Sequence, residues 1–160
     1  MQALAEILCN SKVCSAVARQ AAGLQLKILL TSKEEKLKRK YQRRWVSLPI
    51  STRTCIKDSL LGSLGTEVNH PRCVAQCLAY ITAAELNPDE YAHSTTHYLV
   101  NDILSSLNGL LEQSNSAEAV REAAIETVGL ICQEAVKHFK LLAINLLLNQ
   151  LFYNENFDFL

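Results

Sequence analysis

Apolar residues recur at helical spacing along most of the chain. The clearest run follows intervals of four, four, three and four residues, and it consists of Val13, Val17, Ala21, Leu24 and Ile28. This spacing places the five side chains on one stripe of an α-helix, and we expect that stripe to face the core. No window alternates strictly between apolar and polar residues, so the pattern predicts no β-strand.

Local signals mark where further helices begin and end. Ser32 and Glu35 have the spacing of a capping box, Gly65 is placed like a carboxy-terminal glycine, and Asn87-Pro88 resembles a helix start. The pattern predicts helices over 2–9, 13–30, 33–46, 52–64, 72–86, 120–133 and 136–152, and one more through Leu99, Ile103, Leu107 and Leu110.

Three segments rich in small residues resemble one another at intervals of 56 and 46 residues: Ala18–Gly23, Val74–Ala79 and Val120–Ile125. Each is expected to lie in the second helix of a pair, where small residues allow a neighbouring helix to approach. The pattern predicts an all-α fold, an α-solenoid of HEAT-like helix pairs, and periodicity alone leaves another helical bundle open. The expected array covers 1–152, with pairs at about 1–31, 51–86 and 88–134, a partial repeat at 136–152, an extra charged helix at 33–46 and an irregular tail at 153–160.

Composition excludes several classes of protein. Apolar residues make up 49% of the 160 residues, charged residues make up 20%, and only five Gly and three Pro are present. These values argue against a disordered or collagen-like chain. The net charge is zero, but 1–80 carry 13 basic and 5 acidic residues, whereas 81–160 carry 3 and 11. Such polarity suits a protein that meets charged partners with different faces.

The cysteines and the longest apolar run bear on location. We expect the six thiols to be reduced and mostly buried, as in a cytosolic or nuclear protein, since the amino-terminal sequence lacks the features of a signal peptide. The apolar run Leu141–Leu151 is interrupted by polar residues, so no membrane insertion is expected. We hypothesise that this run either self-associates or folds back over 99–111.

Several segments resemble the amino-terminal region of the importin-beta (karyopherin-beta) family of nuclear import receptors. The resemblance covers roughly 3–86 and 117–134, and it is carried by the order and spacing of Ala22–Lys27, Leu30–Lys33, Tyr41–Trp45, Leu64–Glu67, Ala75–Cys77, Ala83–Leu86 and Glu126–Gln133. Members of the family begin with about one further helix pair and continue for many more repeats. The resemblance therefore also leaves open a shortened relative that acts as an interaction or regulatory scaffold without receptor function.

The resemblance implies a binding protein without cofactor or catalysis. Family members grip the GTP-bound small GTPase Ran with a concave surface, bind Phe-Gly segments of nucleoporins in outer grooves, and carry cargo or adaptors further along. The resemblance also implies a location in the cytoplasm, in the nucleus and at the nuclear envelope. Lys27 and Lys33 match family positions near the Ran surface. Glu122 and Glu126 are further candidate contacts for Ran, which would face its basic residues, although a solvated helix face is the simpler interpretation.

The segment Lys33–Arg44 contains seven basic and two acidic residues. A solvated helical face is the favoured interpretation, an acidic protein partner comes second, and a nuclear localisation signal or nucleic-acid patch comes third. Trp45 is expected to anchor this helix by packing. Besides Lys33, the basic surface consists of Lys36, Lys38, Arg39, Lys40, Arg43 and Arg44.

The remaining candidate residues favour structural roles. Arg19 and Arg121 occupy equivalent repeat positions and are expected to make hydrogen bonds between repeats. Arg19, Gly23 and Lys27 would share a stripe off the apolar face. Neither Cys73 and Cys77 with His70, nor the pair His93 and His97, supplies the ligand set of a zinc site. No phosphate-binding loop and no nucleophile elbow occurs in the sequence.

Overall fold

The computed structural model describes the backbone of 1–67, 72–85, 96–112 and 117–155, and the side chains of 1–67, 72–85, 103–112, 117–134 and 136–137. The predictions for Asn87-Pro88, His70, His93 and the loop at 114–116 fall outside these residues. No β-strand occurs within the described ranges, and the all-α prediction is confirmed. The helices are α1 (Gln2–Cys9), α2 (Ala16–Leu30), α3 (Glu35–Val46), α4 (Ile50–Gly62), α5 (Cys73–Glu85), α6 (Thr96–Glu112) and α7 (Glu118–Glu155).

The helices form pairs that stack side by side. In one layer α5 packs between α2 and α7, and in the other layer α4 packs between α1 and α6. Helices α2 and α5 run in the same direction, because Gly23 lies beside Cys73 and Lys27 reaches Gln76. This architecture is the predicted α-solenoid of HEAT-like pairs, with α3 lying against α2 and α5 as the extra helix.

The predicted core stripe of α2 is wrong. Val13 and Val17 are 81% and 78% exposed, and Leu24 and Ile28 are also exposed. The buried residues of α2 are Arg19, Ala22, Gly23, Leu26 and Leu30. Helix α2 carries apolar residues on two faces, and only contact with α1 and α5 decides which face is covered.

The prediction of a stripe off the core is wrong for the same reason. That stripe consists of Arg19, Gly23 and Lys27. Arg19 and Gly23 are buried, and Lys27 is half-buried beside α5. The Arg19 guanidinium donates hydrogen bonds to the carbonyls of Leu8 at 2.7 Å and Thr66 at 3.1 Å. The predicted structural role of Arg19 is therefore confirmed.

Several helix ends differ from those predicted. Helix α2 begins at Ala16, where the Ser15 side chain accepts a hydrogen bond from the backbone of Ala18. The predicted capping box is absent: α3 begins at Glu35, and the Ser32 hydroxyl accepts from the backbone N–H of Glu34 at 3.2 Å.

The predicted break between 133 and 136 is also absent, because α7 is one continuous helix from Glu118 to Glu155. The intervening residues include no glycine or proline, so nothing in the backbone requires a break. The helix also covers the first residues of the predicted irregular tail, and 156–160 lie outside the described residues. The repeat boundaries inside this segment stay a prediction.

Two glycines stand where helices approach closely. A Cβ atom on Gly23 would lie 2.5 Å from the Cβ of Cys73. Gly65 follows α4 with φ of +77°, a conformation that favours glycine, and a Cβ there would lie 2.8 Å from the Val120 Cα. Both positions therefore set the spacing between neighbouring helix pairs.

The six cysteines are free, and the expectation that most are buried is wrong. Only Cys73 and Cys77 are buried, whereas Cys55 and Cys132 are exposed. Burial raises the pKa of the Cys73 and Cys77 thiols above the ordinary value, so both stay protonated and pack as small apolar groups.

A buried carboxylate joins three helices. The Glu85 side chain of α5 is fully buried and accepts hydrogen bonds from Trp45 Nε1 of α3 at 3.1 Å, Arg53 Nη1 of α4 at 3.2 Å and Lys57 Nζ of α4 at 3.2 Å. Trp45 itself is fully buried, which confirms its role as a packing anchor.

Replacing Glu85 by Gln should lower the free energy of unfolding by about 3–5 kcal/mol, because it leaves the buried cations of α4 without a countercharge. Glu35→Gln is the control, because it removes an exposed pair with Arg39 and should cost less than about 1 kcal/mol. Urea unfolding followed by circular dichroism measures both. Equal effects of the two variants would contradict a central role for Glu85.

Gly23→Ala should destabilise the fold by about 1–3 kcal/mol, because the added methyl group meets Cys73. Gly109→Ala in α6 is the matched control, since a Cβ there meets nothing within 4 Å. That change should instead stabilise the protein by about 0.5–1 kcal/mol through helix propensity. Thermal unfolding of both variants tests whether the two substitutions change stability in opposite directions. Stabilisation by Gly23→Ala would refute the close approach of Gly23 to Cys73.

Candidate protein-interaction surface

The layer formed by α2, α5 and α7 contains a cavity of about 480 Å³. It lies where the end of α2, the segment leading into α3, and the middle of α5 and α7 come together. Five of its nine lining residues are charged, and Ile28 and Tyr80 supply apolar surface. The charged residues that line it are Lys27, Lys33, Lys38, Glu134 and Lys137.

Lys27 is held in place by α5. Its Nζ donates a hydrogen bond to Gln76 Oε1 at 2.8 Å and lies 6.0 Å from the centre of the Tyr80 ring. An ammonium group over an aromatic face is attracted by the electron density of the ring. The side chain of Lys27 is therefore positioned at the rim before any partner arrives.

Glu134 of α7 lines the cavity and joins α7 to α3. Its buried carboxylate pairs with Lys38 Nζ at 3.3 Å and accepts a short hydrogen bond from Lys137. Burial alone would raise the pKa of Glu134, but the hydrogen bonds and positive charges of Lys137 and Lys38 outweigh it and hold the pKa below its ordinary value. The carboxylate is thus charged at neutral pH and ties the two helices together.

The basic helix is solvated only in part. Lys36, Lys40, Arg43 and Arg44 are exposed, as the favoured interpretation predicts, and Lys33 is exposed just before the helix. That interpretation is wrong for Lys38, because the carboxylate of α7 lies within reach of its ammonium group.

Two further arginines of α3 have neighbours within the chain. Arg39 pairs with Glu35 at 3.4 Å, whereas Arg44 donates to the Leu29 carbonyl at 3.0 Å and lies over the Tyr41 ring. Part of the basic charge of the helix is thus already engaged without any partner.

Glu122 and Glu126 lie apart from the cavity. They pair with Arg72, at the start of α5, at 3.0 Å each, and Glu126 also accepts from the Arg72 backbone N–H at 3.2 Å. Glu122 remains 56% exposed at its side chain. These carboxylates fasten α7 to α5 roughly 12–18 Å along the helix from Glu134. Their role toward a partner stays a prediction.

Sequence reasoning missed the cavity residues Tyr80, Glu134 and Lys137, and it also missed Gln76, which holds Lys27 in place. Only one signal pointed to any of them, the spacing of three between Glu134 and Lys137, which favours an ion pair on one helix. Gln76 and Tyr80 belong to α5, which is strongly apolar in sequence and buried at every position except Tyr80. Their contact with Lys27 arises only when α5 packs beside α2.

The described residues also bear on metals and membranes. Within them, no group of three or more His, Cys, Asp or Glu side chains is arranged to hold a metal ion. None of the helices found there combines the length and apolar character that crossing a bilayer requires.

Glu134→Gln should lower the free energy of unfolding by about 1–3 kcal/mol at neutral pH, because it weakens hydrogen bonds to two cations. A carboxyl whose pKa is lowered by folding contributes stability above its unfolded pKa, and that contribution disappears as pH falls through the lowered value. The difference between wild type and variant should therefore shrink on acidification below about pH 4.5.

Urea unfolding at several pH values measures this difference. The exposed Glu6→Gln serves as the control and should differ little from wild type at any pH. A Glu134→Gln deficit that stays constant with pH would contradict the ion-pair role.

Comparison with known proteins agrees with the family resemblance of the sequence. The family model described as Importin-beta N-terminal domain matches residues 1–66. The chain is 30% identical over 134 residues to importin subunit beta-1 of Schizosaccharomyces pombe, covering 83% of this chain and 14% of that protein. It is 31% identical over 118 residues to importin subunit beta-1 of Arabidopsis thaliana, covering 73% and 12%. The chain belongs to the importin-beta family and is similar to the amino-terminal region of its members.

Proposed function

We propose that the chain is a nuclear transport receptor-type binding protein that binds GTP-bound Ran through the layer of α2, α5 and α7. The observation that carries the proposal is the meeting of Lys27 and Lys33 at one cavity in this layer. Both lysines match family positions near Ran, and both lie where a bound protein would cover the cavity.

Binding would rest on preorganised charge. Lys27 is already ordered by Gln76 and Tyr80, so little side-chain entropy is lost when an acidic group of the partner approaches. Lys33 adds a second, exposed cation at the same rim. Discrimination between GTP and GDP forms would follow from different affinity for two shapes of the GTPase.

Other partners complete the proposal. Phe-Gly segments of nucleoporins and a cargo or adaptor would be bound by other surfaces, as in the family. The protein would act without catalysis or cofactor, in cytoplasm and nucleus and at the nuclear envelope. Nucleic acid is a weaker candidate, because part of the basic helix is engaged by Glu134, Glu35 and Leu29.

The second candidate function is a scaffold that does not bind Ran. It is favoured by one observation: Arg72 already engages Glu122 and Glu126, two of the four candidate contacts for Ran. Charges that hold helices together inside the chain contribute less to an external partner, because binding would have to break or share those contacts.

Calorimetric titration with Ran loaded with a non-hydrolysable GTP analogue tests the proposal, with Ran-GDP as the reference. We expect micromolar or tighter binding of the GTP form alone. Lys27→Glu and Lys33→Glu should each weaken it at least about tenfold, because a repulsive carboxylate replaces a cation.

Lys40→Glu makes the same charge change on an exposed position of α3 outside the cavity lining and should leave affinity nearly unchanged. Lys33 is exposed, so that variant tests the site even where Lys27→Glu perturbs packing. Absence of binding by the folded wild-type chain would reject the receptor function and leave the scaffold. Equal weakening by all three variants would reject the cavity as the contact.

A further inference from the structure

Four lysines from separate parts of the chain converge on the cavity in the layer of α2, α5 and α7. Lys27 belongs to α2, Lys33 precedes α3, Lys38 belongs to α3 and Lys137 belongs to α7. Glu134 is the only acidic side chain among the described residues that line the same space. The cavity therefore gathers four ammonium groups against one carboxylate, although these residues are distant in the sequence.

Glu134 compensates only part of this charge. One of its carboxylate oxygens is paired with Lys38 and the other with Lys137, so two ammonium groups share one negative charge. Lys27 donates to a neutral amide, and Lys33 has no ion-pair partner within the part of the chain that the structure describes. Four ammonium groups less one carboxylate leave three uncompensated positive charges at the cavity.

The gathering of like charges opposes folding unless an anion joins them. The repulsion is stronger where protein displaces water, and the Lys38 side chain is only 14% exposed. A cleft lined by one sign of charge also concentrates counter-ions of the opposite sign. The convergence of the lysines is therefore the observation that indicates an anionic ligand.

The hydrogen-bonding groups of the cavity indicate the same chemistry. Each ammonium group has three N–H donors and no acceptor. Lys27, Lys38 and Lys137 each make one hydrogen bond within the described residues, which leaves most of their donors for a ligand. The hydroxyls of Thr31 and Ser32 also line the cavity. A ligand rich in acceptor oxygens would satisfy these groups, and phosphate is such a ligand.

The charge and the volume of the cavity favour a small molecule with two or more phosphate groups. A phosphate monoester carries about −1.5 to −2 charges near neutral pH, so one group leaves part of the excess uncompensated and two compensate all of it. The volume of about 480 Å³ lies within the range of roughly 300–1,000 Å³ that small-molecule sites occupy. Ile28 and Tyr80 supply apolar surface that a carbon skeleton would cover.

An acidic peptide fits this space less well. Each Asp or Glu brings one charge, and successive side chains of an extended strand point to opposite faces. Acidic residues on one face are thus two positions, or roughly 7 Å, apart. Three carboxylates would therefore spread along the surface, whereas linked phosphates place the same charge in one small volume.

We propose that the cavity binds a small molecule bearing at least two phosphate groups. Lys27, Lys33 and Lys137 contact the phosphate oxygens, and Lys38 stays paired with Glu134 between α3 and α7. The site uses two of the lysines that we propose to contact Ran, but it requires no GTPase and is a separate binding function of the chain.

Calorimetric titration of the whole chain with pyrophosphate, without Ran and at low salt, tests the proposal. Pyrophosphate has two phosphate groups, orthophosphate has one, and citrate offers three carboxylates instead. We expect pyrophosphate to bind at least about tenfold more tightly than either, because its charge is concentrated and its oxygens accept charge-assisted hydrogen bonds. Binding should weaken as salt is added. Pyrophosphate should also raise the midpoint of thermal unfolding, because it binds the folded chain.

Three substitutions locate the bound anion. Lys33→Ala and Lys137→Ala should each weaken pyrophosphate binding at least about fivefold, because each removes a cation from the lining. Lys40→Ala removes an exposed cation of α3 outside the lining and should leave affinity nearly unchanged. Lys33 and Lys137 are both exposed, so these variants should fold, and circular dichroism verifies it. Without anion, Lys33→Ala should not lower the unfolding midpoint, since it relieves repulsion among the lysines.

Three results would overturn the proposal. One is a folded wild-type chain that binds no pyrophosphate. Another is a loss of affinity in Lys40→Ala equal to that in Lys33→Ala, which would mean that diffuse surface charge attracts the anion. The last is citrate or a peptide of consecutive glutamates binding as tightly as pyrophosphate, which would identify carboxylates as the ligand. None of these titrations contains Ran, so failure of this proposal and failure of the receptor function are distinguishable.

Discussion

The buried carboxylate of Glu85 is the constraint on which the arrangement of the helices depends. An ionised carboxylate removed from water costs several kcal/mol unless cations and hydrogen-bond donors surround it. Here the donors come from two other helices, through Trp45 of α3 and Arg53 and Lys57 of α4. Helices α3, α4 and α5 must therefore meet in one particular arrangement, which a purely apolar contact would specify less tightly.

The same constraint reaches the candidate interaction surface. Trp45 fixes the end of α3, and that position carries Lys38 to within 3.3 Å of Glu134 on α7. Both residues of this salt bridge line the cavity, as do Lys27 and Lys33. A structural interaction in the core is thus connected to the placement of the residues proposed to contact Ran. The connection runs through α3, the extra helix that belongs to none of the helix pairs.

Close approach of the helices is the second condition for this surface. Gly23 allows α5 to pack against α2 near Cys73, and the approach brings Gln76 and Tyr80 to Lys27. The outward side of α2 is left apolar and uncovered. The layer of α2, α5 and α7 therefore presents a cavity lined by charged residues.

The sequence by itself determined the helical fold class, most of the helix positions and the packing role of Trp45. Periodicity, small residues and glycine carry that information locally, and the order of short motifs identified the family. Only the tertiary structure decided which apolar stripe of α2 is buried and which charges are engaged. Helix α2 offers Val17 and Leu24 on one face and Leu26 and Leu30 on another, and the spacing of both sets is helical. Burial depends on which neighbour arrives, and ion pairs such as Lys38 with Glu134 join residues 96 positions apart. Neither the burial of one face nor these long-range ion pairs can be read from the pattern of a single segment.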